Sequence, residues 1–232
     1  MGRYEKAWQV ARQRIEDAEK RAHRAAGSVR LLAVSKTFPA SAIRELHRSG
    51  QRAFGENYVQ EAGAKRVELA DLTDIEWHLI GPLQTNKTRA AASTFDWVES
   101  VDRPQIADRL AAARATAAQP LDVLVQVNVS GEATKSGVTP AAALALAQHV
   151  AALPGLRLRG IMGIPEATGD TARLRDQFRQ LKACYDECAG AGLTVDTLSM
   201  GMSADLELAV AEGATEVRVG TAIFGPRDRP GG

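Results

Sequence analysis

The chain has 232 residues, is 45% hydrophobic and 25% charged, and sets 29 Lys and Arg against 28 Asp and Glu for a formal net charge of +1. This is the balance of an ordinary globular protein that buries a sizeable core without covalent staples, and it excludes a global electrostatic footprint for nucleic acid or an anionic membrane. No apolar run approaches the ~20 residues that span a bilayer, and the N-terminal segment MGRYEKAWQVARQRIEDAEK is charged throughout, without the apolar centre of a secretory signal. A cytoplasmic protein is expected. Cys184 and Cys188 lie four residues apart and share a helix face. Two thiols alone do not make a zinc site and do not pair in a reducing compartment, so no metal site or disulfide is expected.

The first element is a helix over about Tyr4 to Ala26, with Trp8, Ile15, Ala18 and Ala22 widely spaced among charges. That pattern packs one face on the outside of a fold, and Gly27 and Ser28 end it. Eight apolar runs then alternate with helical stretches. The runs are Val29–Val34, the very short Ala53–Phe54, Ile75–Ile80, Trp97–Ser100, Leu121–Val129, Leu156–Ile164, Thr197–Met200 and Val217–Val219. Between them fall helical segments rich in Ala, Arg, Leu and Glu, among them Pro39–Ser49, Arg103–Ala118, Pro140–Ala152, Thr171–Ala189 and Ser203–Glu212. Continuous apolar strands joined by helices make a parallel sheet covered on both faces. Eight such units predict one closed (β/α)₈ TIM-type barrel, preceded by the extra N-terminal helix, as a single domain over residues 1–232. The polar, Gly- and Pro-rich tail over 226–232 is expected to fray. There is no G-x-G-x-x-G and no G-x-x-x-x-G-K-[ST], so nothing indicates a dinucleotide fold or a P-loop.

In such a barrel the chemistry sits at the C-terminal ends of the strands. Lys36 stands two residues past the apolar run LLAV, where it points into the barrel mouth. A partly desolvated lysine gives up its proton more readily and attacks aldehydes. Far along the chain, Ser199-Met200-Gly201-Met202-Ser203 closes the seventh strand and Arg218-Val219-Gly220-Thr221 the eighth. Loops after strands seven and eight commonly form a phosphate site, where glycine admits backbone N–H groups and a helix start favours negative charge. Ser203 fits a helix N-cap whose hydroxyl also meets a phosphate, and Thr221 has the same capacity. A lysine on strand one and a phosphate cradle on strands seven and eight are neighbours in a closed ring. The pair suits a phosphorylated aldehyde anchored at both ends, and pyridoxal phosphate and the substrate of a lysine-imine sugar-phosphate aldolase both meet that description.

Seven blocks in order give the sequence a closer likeness: LLAVSKTFP (31–39), FGENYVQE (54–61), WHLIGPLQTNK (77–87), VNVSGEATKSG (127–137), GIMGIP (160–165), LSMGMSADLELAV (198–210) and VRVGTAIFG (217–225). Together they resemble the pyridoxal phosphate homeostasis proteins, a family of PLP-binding barrels like the N-terminal domain of alanine racemase. Leu79 and Ile161 depart from the family's commoner residues, away from the cofactor groups. The resemblance implies that Lys36 carries pyridoxal 5′-phosphate as a Schiff base. It further implies that Ser203, Gly220 and Thr221 bind the phosphate with Met200 and Gly201 nearby, that Arg218 faces the pyridine nitrogen, and that Asn57 lies near the ring. Arginine only donates hydrogen bonds, so at that nitrogen it favours the unprotonated ring and weakens the cofactor as an electron sink. The plainer alternative for Arg218 is an ion pair with Glu207 or Glu216. His78 reads as a proton shuttle or a hydrogen-bonded interior histidine. Gln84, Asn86 and Lys87 open a helix, as a partner surface or a solvated start. Lys135 is expected to pair with Glu132, the alternative being a lysine that receives PLP in transit.

Two functions follow from the likeness. One is a monomeric carrier that stores the cofactor or hands it to PLP-dependent apo-enzymes without turning over a substrate. The other is an amino-acid racemase. A two-base racemase needs a second base on the opposite face of the cofactor, supplied in alanine racemase by a partner subunit's tyrosine beside a further domain. The sequence offers only Tyr4, Tyr58 and Tyr185, and only Tyr58 falls near the mouth. The carrier is therefore expected, with no catalytic residue.

Overall fold

The computed structural model describes residues 2–132 and 135–226. Eight parallel strands close into a barrel in chain order: β1 Arg30–Val34, β2 Ala53–Glu56, β3 Glu76–Leu79, β4 Trp97–Val101, β5 Leu121–Val127, β6 Leu156–Gly163, β7 Thr197–Ser199 and β8 Glu216–Val219. Closure is made by β8 against β1, with Arg30 opposite Glu216 and Leu32 opposite Arg218. The helices are α1 Glu5–Arg21, α2 Ala40–Arg48, α3 Val59–Glu68, α4 Thr88–Thr94, α5 Pro104–Arg114, α6 Ala143–Ala151, α7 Thr171–Gly190, α8 Leu206–Ala211 and α9 Thr221–Phe224. The barrel expected from the alternation of apolar runs and helices is present, with the additional helix α1 ahead of it. The tail expected to fray lies outside the described residues beyond 226.

Strand residues alternate between two cores. Those facing outward, such as Leu31, Ala33 and Val217, join the main apolar cluster under the helices, whereas Trp97, Leu124 and Met162 form a smaller cluster inside the barrel. Burial on both faces is why the strands read as unbroken apolar runs. Between β5 and β6 the register slips by one residue, pairing Val123 with Leu158 but Leu124 with Gly160. The extra residue, Arg159, turns to the lower rim and bonds Asp122 and Asp196.

Helix α1 buries Trp8, Ala11, Ile15 and Ala18, a 3-4-3 spacing that makes one apolar stripe. Each large side chain so buried contributes ~1.5–3 kcal/mol. The helix stops well short of Ala26. Glu19 is buried, and its carboxylate accepts the N–H groups of Gly27 (3.0 Å) and Val29 (2.7 Å), turning the chain into β1. Arg14, on the same helix, donates to both carboxylate oxygens of Glu207 at 2.8 and 2.9 Å and to the carbonyl of Ser203 at 3.0 Å. This anchors the loop after β7. Helix α7 starts where Asp170 accepts the N–H groups of Ala172 and Arg173. Cys184 and Cys188 are free thiols buried on its inner face.

Candidate functional site

Just beyond the C-terminal ends of the strands lies a cavity of about 520 Å³. Lys36 reaches it two residues after β1, Asn57 just after β2, Arg218 from within β8, and Gly220 and Thr221 from the start of α9. Ser203 enters from the loop after β7. Six of the eight residues expected at a site thus line one cavity. The basic groups on its wall are Lys36, Lys135 and Arg218, and among the described residues no carboxylate lines it. Gly81 completes the rim beside Asn57, and a Cβ there would fall 2.3 Å from the Asn57 carbonyl oxygen.

Met200 and Gly201 do not line the cavity. Met200 is fully buried in the outer core, because Ser199 points into the barrel and its successor must point the other way. Gly201 has φ +93°, and an added Cβ would meet that of Ala209 at 2.4 Å. Glycine is required there for α8 to pack against the loop. Ser203 is not the N-cap of α8, which begins three residues later at Leu206. Asp205 accepts the Met202 N–H at 2.5 Å and holds the intervening residues as a turn. The Ser203 hydroxyl instead accepts the Ala222 N–H at 3.3 Å, linking the two loops.

Arg218 is 4% exposed and donates to the Ser199 hydroxyl (2.7 Å) and the Gly163 carbonyl (2.8 Å). Neither alternative ion pair forms as a hydrogen bond: Glu207 is taken by Arg14, and both Glu216 oxygens lack a hydrogen-bond partner among the described residues. Burial lowers the Arg218 pKa, opposed by attraction to Glu99 and Glu216. Below it the barrel is filled by a chain of charges. Ser199 donates to Glu99 Oε2 at 2.7 Å, Glu99 Oε1 lies 2.7 Å from His78 Nδ1, and His78 Nε2 lies 2.7 Å from Glu76, which pairs with Arg30.

Ionised carboxylates only accept, so with Glu76 and Glu99 ionised both ring nitrogens of His78 donate as an imidazolium, although Arg30 Nη2, itself only a donor, stands 3.3 Å from Nε2. Burial alone would lower its pKa, but the bonds to Glu76 and Glu99 hold it up at about 9. Glu99 is correspondingly held below its usual range despite burial, by its bond to His78. Burial and repulsion from Glu99 push Glu216 up to about 7. His78, Glu99 and Glu216 stand close enough to be compared with a metal site. With both nitrogens committed as donors, His78 has no lone pair to offer, and the cluster is an ion network. His78 also stacks on Trp97, with centroids 5.0 Å apart and planes 9° apart.

Lys135 pairs with Glu132 at 2.7 Å, as expected from spacing. Gln126, Ser136, Ile164 and Met202 also line the cavity without having been expected there. Gln126 carried a readable signal, being the one polar side chain near the end of the apolar run LVQV.

A family model described as alanine racemase, N-terminal domain, matches residues 10–228. A pyridoxal phosphate homeostasis protein of Pseudomonas aeruginosa is 55% identical over 215 residues, spanning 93% of this chain and 92% of its own length. The protein of the same name from Escherichia coli K12 is 48% identical over 219 residues, spanning 94% of each. Among solved structures, PipY of Synechococcus elongatus PCC7942 with PLP bound matches with a TM-score of 0.79 at 40% identity, over 91% of this chain and all of that one.

Proposed function

Because the chain belongs to the alanine racemase N-terminal domain family and, within it, to the pyridoxal phosphate homeostasis proteins, we propose that it holds pyridoxal 5′-phosphate in the barrel mouth, as a Schiff base on Lys36, and serves intracellular homeostasis of that cofactor. One observation carries the reading to this chain: among the described residues, three basic side chains and no carboxylate line the cavity. An anionic ligand is attracted there, and a lysine is in place for its aldehyde. The donor set fits the group. Ser203 and Thr221 offer hydroxyls beside Gly220 for a phosphate, Lys36 offers the amine, and Asn57 offers an amide at the mouth of β2. Met200 and Gly201 act from behind, by fixing the loop that presents Ser203. When bound, pyridoxal phosphate supplies an aldehyde for amines and a ring that draws electrons from carbon attached through the imine.

Arg218 is turned to Ser199 and the Gly163 carbonyl, and it offers its remaining N–H groups to the cavity floor as donors only. Arg218 would hold a pyridine nitrogen only as a donor, and a ring so held would be a weaker electron sink, which favours storage over carbanion chemistry. A racemase reading fares worse on the same wall. Among the described residues, the titratable lining groups besides Lys36 are Lys135, engaged by Glu132, and Arg218. Tyr58 is exposed and outside the lining, and the Tyr185 hydroxyl donates to the Val195 carbonyl. No described lining residue is placed as a second proton base. We therefore read the protein as a carrier without substrate turnover. In this reading the carrier is a monomer that gives up its cofactor to apo-enzymes. The proposed place of work is the cytoplasm. No helix among the described residues is long and apolar enough to cross a membrane.

The test is the absorption spectrum before and after borohydride, with Lys36→Ala alongside. The wild type should show the visible imine band and become irreversibly labelled at Lys36, and the variant should do neither. A wild-type protein that gives no band with added pyridoxal phosphate would overturn the assignment.

A further inference from the structure

Lys36 sits in a turn that its own sequence does not favour. The Phe38 N–H donates to the Ser35 carbonyl at 3.1 Å, closing Ser35–Phe38, and Thr37 takes φ +69° at the third position. A β-branched residue is a poor choice for a left-handed conformation, and glycine or asparagine is the usual occupant. Such a residue persists only where its surroundings over-determine it.

Those surroundings come from β2 and α3. Lys65 is 5% exposed, and its ammonium donates to the Ser35 carbonyl at 2.9 Å, to Glu56 at 2.7 Å and to Glu61 at 2.7 Å. The same oxygen of Glu61 accepts the Thr37 N–H at 2.6 Å. The same oxygen of Glu56 accepts the Ser35 hydroxyl at 2.5 Å. Both residues flanking Lys36 are thus tied to one buried ion triad. Glu56 also precedes Asn57 of the cavity wall directly in sequence. No member of the triad lines the cavity itself. A buried ion pair is weak evidence for stability, but these bonds reach the backbone on both sides of Lys36. The geometry they specify is that of the lysine-bearing turn.

We infer that Lys65 and Glu61 are positioning residues for Lys36: they clamp the strained Ser35–Phe38 turn in the one form that presents the Lys36 amine to an aldehyde in the barrel mouth. The inference rests on the proposed role of Lys36. Misplacing a reacting group by about 1 Å costs up to ~100-fold in rate, and loss of the partner that orients a metal ligand, a comparable arrangement, costs ~10–100-fold in affinity or activity.

The experiment compares wild type, Glu61→Ala and Glu61→Gln. It measures the rate of borohydride-trappable adduct formation with added pyridoxal phosphate, the Kd for the cofactor, and the melting temperature of the cofactor-free protein. Glu61 is partly exposed, so its removal spares the fold. Glu61→Ala should slow adduct formation at least ~10-fold and weaken binding comparably, with a melting temperature near that of wild type. Glu61→Gln keeps an acceptor for the Thr37 N–H and should recover most of the rate. Lys65→Met, which removes the cation at similar volume, should reproduce the slowing at temperatures where it remains folded. Wild-type rate and affinity in Glu61→Ala would overturn the inference, as would loss of binding that merely follows loss of melting temperature with no recovery in Glu61→Gln. A wild-type protein that forms no adduct at all is a different result, because it removes the role of Lys36 and the inference falls with it.

Discussion

The upper and lower halves of the barrel interior are built from the same eight strands to opposite electrostatic plans. In the upper half Lys36, Lys135 and Arg218 border a cavity with no carboxylate among its described lining residues. In the lower half Glu99, Glu216 and His78 are buried, Glu76 and Arg30 are half-buried beside them, and nearly every charge meets an opposite one within 4 Å. Arg218 belongs to both: its Nη1 contacts Ser199 at the head of the lower chain, and its side chain forms the cavity floor. The difference teaches how one closed ring separates binding from stability. A wall whose described lining holds cations and no carboxylate creates a site for an anion, even with Lys135 held by Glu132 behind it, and cations locked to carboxylates create a floor that holds still beneath it.

The largest effect should come from breaking the floor. Glu99→Ala leaves the His78 imidazolium and the Ser199–Arg218 pair without their shared acceptor. Removing one partner of a buried ion network costs ~3–5 kcal/mol. Lys36→Ala, at a partly exposed position of the mouth, should change stability by less than about 1 kcal/mol while abolishing the adduct. Urea unfolding of the two cofactor-free variants makes the comparison. Equal costs would mean that the lower chain is not an ionised scaffold.

Next in size is a pH dependence. The His78 pKa is raised from its ordinary 6.5 to about 9, so its contribution is complete below pH 6.5 and is lost as pH rises through 9. Glu216 is raised from 4.5 to about 7, and its proton is likewise favoured by the fold, so stability declines as pH rises through 7. Both groups act in the same direction. Cofactor-free protein should lose stability from pH 6 to pH 9.5, most of it to His78, whose span from 6.5 to about 9 lies wholly inside that range, whereas only the part of the Glu216 span above pH 6 does. Glu216→Gln, neutral at every pH and of similar shape, should flatten the part below pH 7 and leave the part toward pH 9. A profile with no slope between pH 7 and 9.5 would remove the imidazolium from the floor.

The sequence exposes these two halves unequally. The eight strands were legible because each is buried on both faces, and the mouth was legible because Lys36, Ser203, Gly220 and Thr221 sit at the ends of apolar runs. The floor was not. Glu76, Glu99 and Glu216 each read as one polar residue in or beside a strand; Glu76 meets His78 along β3 and Glu99 meets it from the neighbouring β4, but only closure of the ring brings Glu216 of β8 to the same cluster. Lys65 reads as a solvated helix residue, yet it is buried against β2 because α3 packs there and Glu56 needs a counter-charge. The family resemblance puts Met200 near the phosphate, but the two-residue period of a strand sends it outward once Ser199 faces in. Local pattern reports which face is apolar. It does not report which polar residues of distant strands share an interior.

The smallest effect sharpens the comparison from above. The Ser203 hydroxyl makes one long bond, to the Ala222 N–H at 3.3 Å, in a partly exposed loop. Its carbonyl, which Arg14 holds, is untouched by replacing the side chain. Ser203→Ala should therefore leave stability within about 0.5 kcal/mol of wild type. If the hydroxyl meets a phosphate, its loss removes one hydrogen bond to a charged group, worth roughly 1.5–3 kcal/mol, and equilibrium dialysis should show pyridoxal phosphate bound at least ~10-fold more weakly. Adduct formation at saturating cofactor should still proceed, because Lys36 and its clamp are intact. Unchanged affinity would assign the hydroxyl to tying the two loops together and leave the phosphate to Thr221 and the backbone at Gly220. Weakened affinity with unchanged stability is the opposite signature to that expected of Glu99→Ala, and the two variants measured side by side place the boundary between the binding half and the structural half at Arg218.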